Sequence, residues 1–369
     1  MSSTKVRLDY LDGIRGWAAA IVVFGHTMGG VISIDAPKYV DHVWLRFLTN
    51  AHLSVLVFFV LSGYVLSVSQ IFSSKRNTAV STVARLFRLS FPILLISFVA
   101  YIMMRLDLFY NTQAATTDAA KSWLGRFFVF EPNLFDVLKF SFFDVFFSYN
   151  EQATYNSSLW TMPIEMFGSL LIYSYIAIFR KENPNWIISI ALIIYFYNFN
   201  PFMFCFMVGY ILAELRLNNN FVVTGVKDYL MIVAFLVMIY IDTYHRPIGE
   251  IYQAVEAVVF VVIISYSGVL SKIFSSKISR FMGKISFSLY LVQIVVICSW
   301  SSIMKIYLSS IGINVNLAAT LNLITTMLLC IVLARIMSPV DDWSVKASKI
   351  IAEKIINIPK YLVTSKENA

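Results

Sequence analysis

Long apolar runs recur along the chain, separated by short polar stretches. They fall near 14–33, 52–72, 89–106, 158–179, 186–199, 201–217, 228–243, 252–270, 285–304 and 315–337. A helix needs roughly 20 mostly apolar residues to cross the hydrocarbon core of a bilayer. The pattern therefore predicts an all-α polytopic membrane protein with about ten transmembrane helices. The two runs around Asn198, Asn200 and Pro201 are short and read equally as one broken helix. The longest connection, 107–157, carries an aromatic stretch, Phe140–Phe147, too short to span and suited to an interfacial or re-entrant segment. From 341 onward Lys alternates with Ile and Val, which predicts a cytoplasmic amphipathic tail over 341–369, separate from a transmembrane domain over 1–340.

Composition supports the membrane class. The chain has 369 residues, of which 59% are hydrophobic and 14% charged. Soluble domains carry about 25% charged residues, so both a soluble globular protein and a disordered one are excluded. The net charge of +8 belongs with the positive-inside rule rather than with nucleic acid. If the N-terminus is cytoplasmic, twenty Lys and Arg fall in inside segments. Only Lys38, Arg46, Arg105, Lys121, Arg126, Lys139, Arg246 and Lys305 fall outside. That bias places both termini in the cytoplasm. Lys5 and Arg7 precede an apolar run as in a signal peptide, but Asp12 and Arg15 interrupt it and no clean cleavage site follows. Cys205, Cys298 and Cys330 sit in apolar stretches and read as small buried residues. The four histidines are too scattered for a metal site.

Ionisable and polar groups inside a bilayer are costly and each needs a reason. Arg15 and His26 lie eleven residues apart on the first helix, hence on one face about 16 Å apart along the axis. Alone, either is an interface anchor or a histidine satisfied by backbone; the shared face favours function. In the second helix, Ser62-Gly63-Tyr64 combines a close-packing glycine with a hydroxyl able to enter a cavity. Arg85 and Arg88 open the third helix as positive-inside anchors or as a phosphate clamp. Glu165 lies within two turns of the start of the fourth helix, at a depth comparable to His26. It is placed either to complement the helix dipole or to orient the imidazole. Asn156-Ser157-Ser158 is a formal glycosylation sequon. Asp242, His245, Glu250 and Glu256 fall toward the outer side, the first three as plain loop polarity.

Four strings, in this order, resemble the acyltransferase 3 family of integral membrane acyltransferases: Asp12-Gly13-Ile14-Arg15-Gly16 with His26 eleven residues beyond Arg15, Phe58 through Tyr64, Arg85 through Pro92, and Ser158 through Glu165. A fifth, Gly283 through Gln293, is similar to the family's Ser-Tyr-Leu-His pattern, with Gln293 where His is usual. The resemblance implies a membrane O-acyltransferase of the bacterial inner (plasma) membrane. It would move an acyl group, most often acetyl, from acetyl-CoA to a hydroxyl of a carbohydrate such as a cell-surface polysaccharide or lipid-linked glycan. On that basis His26 and Glu165 are the expected catalytic pair. Arg15, Arg85 and Arg88 would bind CoA phosphates, and Ser62, Tyr64 or Trp160 would polarise the reacting carbonyl. The 107–157 connection is then the expected lid, with Trp123, Phe127 and Phe128 as sugar-stacking candidates. Expected partners are acyl-CoA, the carbohydrate acceptor and the bilayer, with no nucleic acid and no metal. A secondary transporter is the competing class, weakened by the lack of visible repeats, and an exporter of acyl carriers without chemistry is a third.

Overall fold

The structure is a computed structural model that describes residues 9–71, 78–180, 183–218, 222–246 and 249–367. Lys5, Arg7, Lys75, Arg76 and Lys181 lie outside the described residues, as do the last two residues of the tail and all side chains beyond Ile356. Among the described residues the chain is helical nearly throughout. It forms no strand beyond one isolated bridge between Val223 and Ser267.

The long helices are α1 (Asp9–Asp35), α2 (Ala51–Ile71), α3 (Thr78–Arg105), α4 (Ser157–Phe179), α5 (Trp186–Phe199), α6 (Pro201–Asn218), α7 (Val226–His245), α8 (Glu250–Tyr266), α9 (Lys277–Ser310) and α10 (Val315–Glu367). Among the described residues six are long and apolar enough to cross a membrane: α1, α2, α3, α4, α9 and α10. Cys205, Cys298 and Cys330 are free and buried. Asn200 ends α5 in extended backbone, and its Oδ1 accepts from Met203 N at 3.0 Å, capping α6. The runs on either side of it are two helices joined at that residue. The expected tail is continuous with α10, a single helix of 53 residues.

Helix α1 packs along α9, and glycines decide how closely. A Cβ on Gly16 would lie 2.4 Å from the Gly283 backbone nitrogen, and one on Gly283 would lie 2.3 Å from the Asp12 carbonyl oxygen. Backbone meets backbone there, which only glycine permits and which apolar surroundings reward through dense packing. The two helices run in the same direction: Gly16 meets Gly283, and ten residues further along each, His26 meets Gln293. Just beyond that meeting both helices widen into π-turns, Met28–Ile32 in α1 and Ile297–Ser301 in α9. Such turns cluster at functional sites because they re-aim the side chains around them. On the other side α2 packs parallel to α6, with Gly63 against the Phe206 carbonyl and Gly209 against that of Val60, and Phe202 nearer the start of α2 beside His52 and Phe59.

Residues 106–133 of the connection between α3 and α4 fold over one end of the bundle in short helical turns, while 134–147 runs alongside α3, with Phe142 against Phe87 and Phe91. Asn111 Nδ2 donates to the carbonyls of Leu124 (2.8 Å) and Phe127 (2.9 Å), and Tyr110 N donates to Cys298 O on α9 at 2.9 Å. The end of the bundle covered by this cap is called distal here; the end where α1 begins is proximal.

Gly16→Ala should lower the thermal unfolding midpoint in detergent, because backbone at 2.4 Å cannot yield as a flexible side chain does. Overpacking of this kind costs about 1–3 kcal/mol. Gly29→Ala, where nothing lies within 4 Å, should leave the midpoint unchanged or slightly raised. Equal midpoints for both variants would contradict the close α1–α9 contact.

Candidate active site

Toward the proximal end the helices enclose a cleft of about 600 Å³, mouth included. Five of the expected site residues line it: Arg15 from α1, Ser62 from α2, Arg85 and Arg88 from α3, and Glu165 from α4. Phe58, Phe59, Leu89, Met162 and Phe287 supply apolar wall, Thr161 and Tyr290 close its distal side, and Asp341 of α10 stands at its rim. Arg85 and Arg88 point the same way because three residues along a helix stay on one face. Pro92, one turn on, lacks the N–H that the Arg88 carbonyl would otherwise accept.

The charges are unequal in their partners. Glu165 is buried and its Oε1 takes both an Arg85 guanidinium nitrogen and the Ser62 hydroxyl, the latter at 2.7 Å. Arg85 Nε also donates to Ser169 Oγ at 3.1 Å. Arg15 and Arg88 are half-buried, and among the described residues neither has a hydrogen bond or ion pair. The cleft thus holds three guanidinium groups against the carboxylates of Glu165 and Asp341. Charge removed from water without a partner is costly. An anionic ligand is the group that would complete Arg15 and Arg88, and forked donors suit phosphate.

His26 lies further along, outside the cleft, on the distal side of Tyr290. Its Nδ1 is 3.1 Å from Gln293 Oε1, and Gln293 Nε2 donates to Ser158 Oγ at 3.2 Å. The Ser158 carbonyl accepts from the Tyr290 hydroxyl, and Thr161 Oγ1 lies 2.9 Å from that hydroxyl. These contacts join the distal wall of the cleft to the imidazole. Trp123 of the cap lies beside His26, ring centroids 5.6 Å apart, with Phe127 edge-on to Trp123.

Several expectations change in this geometry. Glu165 does not orient His26; Arg85 and Ser62 take its oxygen, and Gln293 holds the imidazole instead. Tyr64 is absent from the cleft. Two residues beyond Ser62 on a helix is the opposite face, where Tyr64 is buried among Tyr10, Arg216 and Tyr266. Trp160 likewise turns away and packs edge-on to Phe202, while Thr161 and Met162 face the cleft. Phe127 is buried and Phe128 stacks on Phe109 at 3.9 Å, so the cap's own packing occupies both; Trp123 alone of the three reaches the site. The sequon asparagine is fully buried, donating to the Leu291 carbonyl at 2.6 Å. Asp242 is buried against Asn50 and Arg246, and Glu256 is buried on α8; neither lines the cleft. Gln293, Tyr290, Thr161 and Asp341 were not anticipated as site residues. The available signal was polarity at i, i+4 and i+7 on α9, in Ser286, Tyr290 and Gln293.

Among the described residues, a helical bundle with six helices long and apolar enough to cross a bilayer, with a cleft lined by three arginines between them, marks a multi-pass membrane protein. The profile of the family described as "Acyltransferase domain" matches residues 8–335, and the chain belongs to that family: it is a membrane acyltransferase. No curated protein and no solved structure matches the chain.

Breaking the buried Arg85–Glu165 pair should be severe. Arg85→Met strands a carboxylate, at a cost of about 3–5 kcal/mol. Arg85→Met combined with Glu165→Leu should recover most of that loss. The measurement is a double-mutant cycle by denaturant unfolding in detergent, and strictly additive losses would show the pair uncoupled.

Proposed function

We propose that this protein moves an acyl group, in the first instance acetyl, from acyl-CoA to a hydroxyl of a carbohydrate acceptor in the cell envelope. The observation that carries the reading is the cleft in which, among the described residues, Arg15 and Arg88 have no hydrogen bond or ion pair. The proximal end is the cytoplasmic one, as the positive-inside bias favours, with ten passes and both termini inside the cell. CoA phosphates engage Arg15 and Arg88. The pantetheine arm, long and thin, runs distally past Phe58 and Tyr290 toward His26. Arg85 is occupied by Glu165 and serves to shape the cleft and keep its charge positive.

His26 acts as general base. It takes the proton from the acceptor hydroxyl, the alkoxide oxygen attacks the thioester carbonyl, and CoA leaves as the thiolate. General-base assistance contributes about 10²–10⁴ in rate. The acceptor approaches from the distal end, where Trp123 covers His26 and must shift to admit it. The placement of a base near the cap and of the cationic cleft at the other end keeps donor and acceptor on opposite sides of the membrane.

The test is transfer of label from [¹⁴C]acetyl-CoA to a crude cell-envelope glycan fraction by the full chain in detergent. His26→Ala should drop transfer by about 10²-fold or more. Arg88→Gln should raise the KM for acetyl-CoA about tenfold with kcat largely kept, since the lost contact is made equally in ground and transition states. Undiminished transfer by folded His26→Ala protein would overturn the role of His26. An unchanged KM in Arg88→Gln would overturn the donor site.

A further inference from the structure

The hydrogen-bond chain behind His26 is complete and carries no charge. Gln293 is fully buried and Ser158 nearly so. The Ser158 N–H donates to Asn156 Oδ1 at 3.1 Å, and Asn156 Nδ2 returns to the backbone of α9 at Leu291. Asn156, Ser158 and Gln293 therefore hold one another across the opening turn of α4 and the middle of α9. The amide of Gln293 places its nitrogen, a donor, on Ser158 Oγ and its oxygen, an acceptor only, on His26 Nδ1. An amide oxygen bonds the imidazole only if Nδ1 carries the proton. The lone pair of neutral His26 then sits on Nε2. Among the described residues Nε2 has no hydrogen-bond partner, and no charged side chain bonds to the ring.

We infer that Gln293 is a positioning residue that fixes His26 as the Nδ1–H tautomer and so makes Nε2 the basic atom of the site. The catalytic half of this inference rests on the proposed acyl transfer; the tautomer half does not. The close contact of Gly16 with Gly283 sets the register in which Gln293 meets His26. Because an amide does not titrate in the working range, the orientation of the ring is independent of pH, unlike that imposed by an ionisable neighbour.

The test uses the full chain in micelles with ¹⁵N-labelled histidine, His26 being assigned among the four histidines by comparison with His26→Ala. Wild type should show a protonated Nδ1 and an unprotonated Nε2. Gln293→Met, similar in length but without the acceptor, should lose that preference. Gln293→Glu, which keeps an acceptor, should restore it. In the acetyl-transfer assay Gln293→Met should lose about 10–100-fold in kcat, as partners that set a histidine tautomer typically do, with KM for acetyl-CoA unchanged. Gln293→Glu should recover part of kcat. A proton on Nε2 in wild type, or a wild-type spectrum and kcat in Gln293→Met, would overturn the inference. If His26→Ala transfers normally while wild type shows the Nδ1–H spectrum, the general-base reading fails, and the positioning role in catalysis fails with it. If His26→Ala is inactive and Gln293→Met is normal in both readouts, only the role of Gln293 fails.

Discussion

The contact of α1 with α9 at Gly16 and Gly283 is the constraint on which the site depends. Two helices whose backbones touch can neither slide nor rotate without collision. In a bilayer, where no hydrophobic effect drives helices together, such packing is a main source of association. Fixing the helices at one level fixes them along their length. Ten residues on, His26 and Gln293 meet within hydrogen-bonding distance. The π-turns that follow in both helices relax the register only after the pair has been made.

A second constraint is electrostatic. Three guanidinium groups converge on one cleft, and a bundle with no counter-charge there would be strained by repulsion. Glu165 resolves part of this by pairing with Arg85, aided by Ser62. What remains is a cationic surface, half-buried and flanked by aromatic side chains, at the end of the bundle where α10 continues beyond the apolar core. The continuation is not idle: it brings Asp341 to the rim of the cleft, Asp342 to within 3.5 Å of Lys284, and Trp343 against Phe91. On the proposed reading, donor recognition and the chemistry step are separated along the bundle, with Tyr290 and Thr161 between them.

Much of this was legible in the sequence, for reasons that can be named. Apolar runs marked the helices, because backbone in a membrane has few other options. Arg15, Arg85, Arg88 and Glu165 stood out because charge in an apolar run is expensive. Spacing along one helix placed Arg15 and His26 on a shared face. What spacing within a helix does not encode is which face meets which neighbour. Hence Tyr64 and Trp160 were assigned to the cavity although each lies on the face opposite to the residue that does reach it. Glu165 and His26 had comparable depths, but depth alone does not distinguish two carboxylate partners, and the nearer arginine won. Gln293 escaped notice as a partner because neutral amides look like substitutions rather than functions until the facing helix is seen. The change of composition at 341 marks a tail in the sequence, and what composition does not encode is that helical hydrogen bonding continues through that change.

The proposed chemistry depends on where the donor sits. A structure determined with a non-hydrolysable acetyl-CoA analogue bound would test it most directly. The phosphates should lie beside Arg15 and Arg88, the acyl end past Tyr290, and its carbonyl carbon near His26 Nε2. Phosphates bound at the distal end, or an acyl group directed away from α1 and α9, would contradict it.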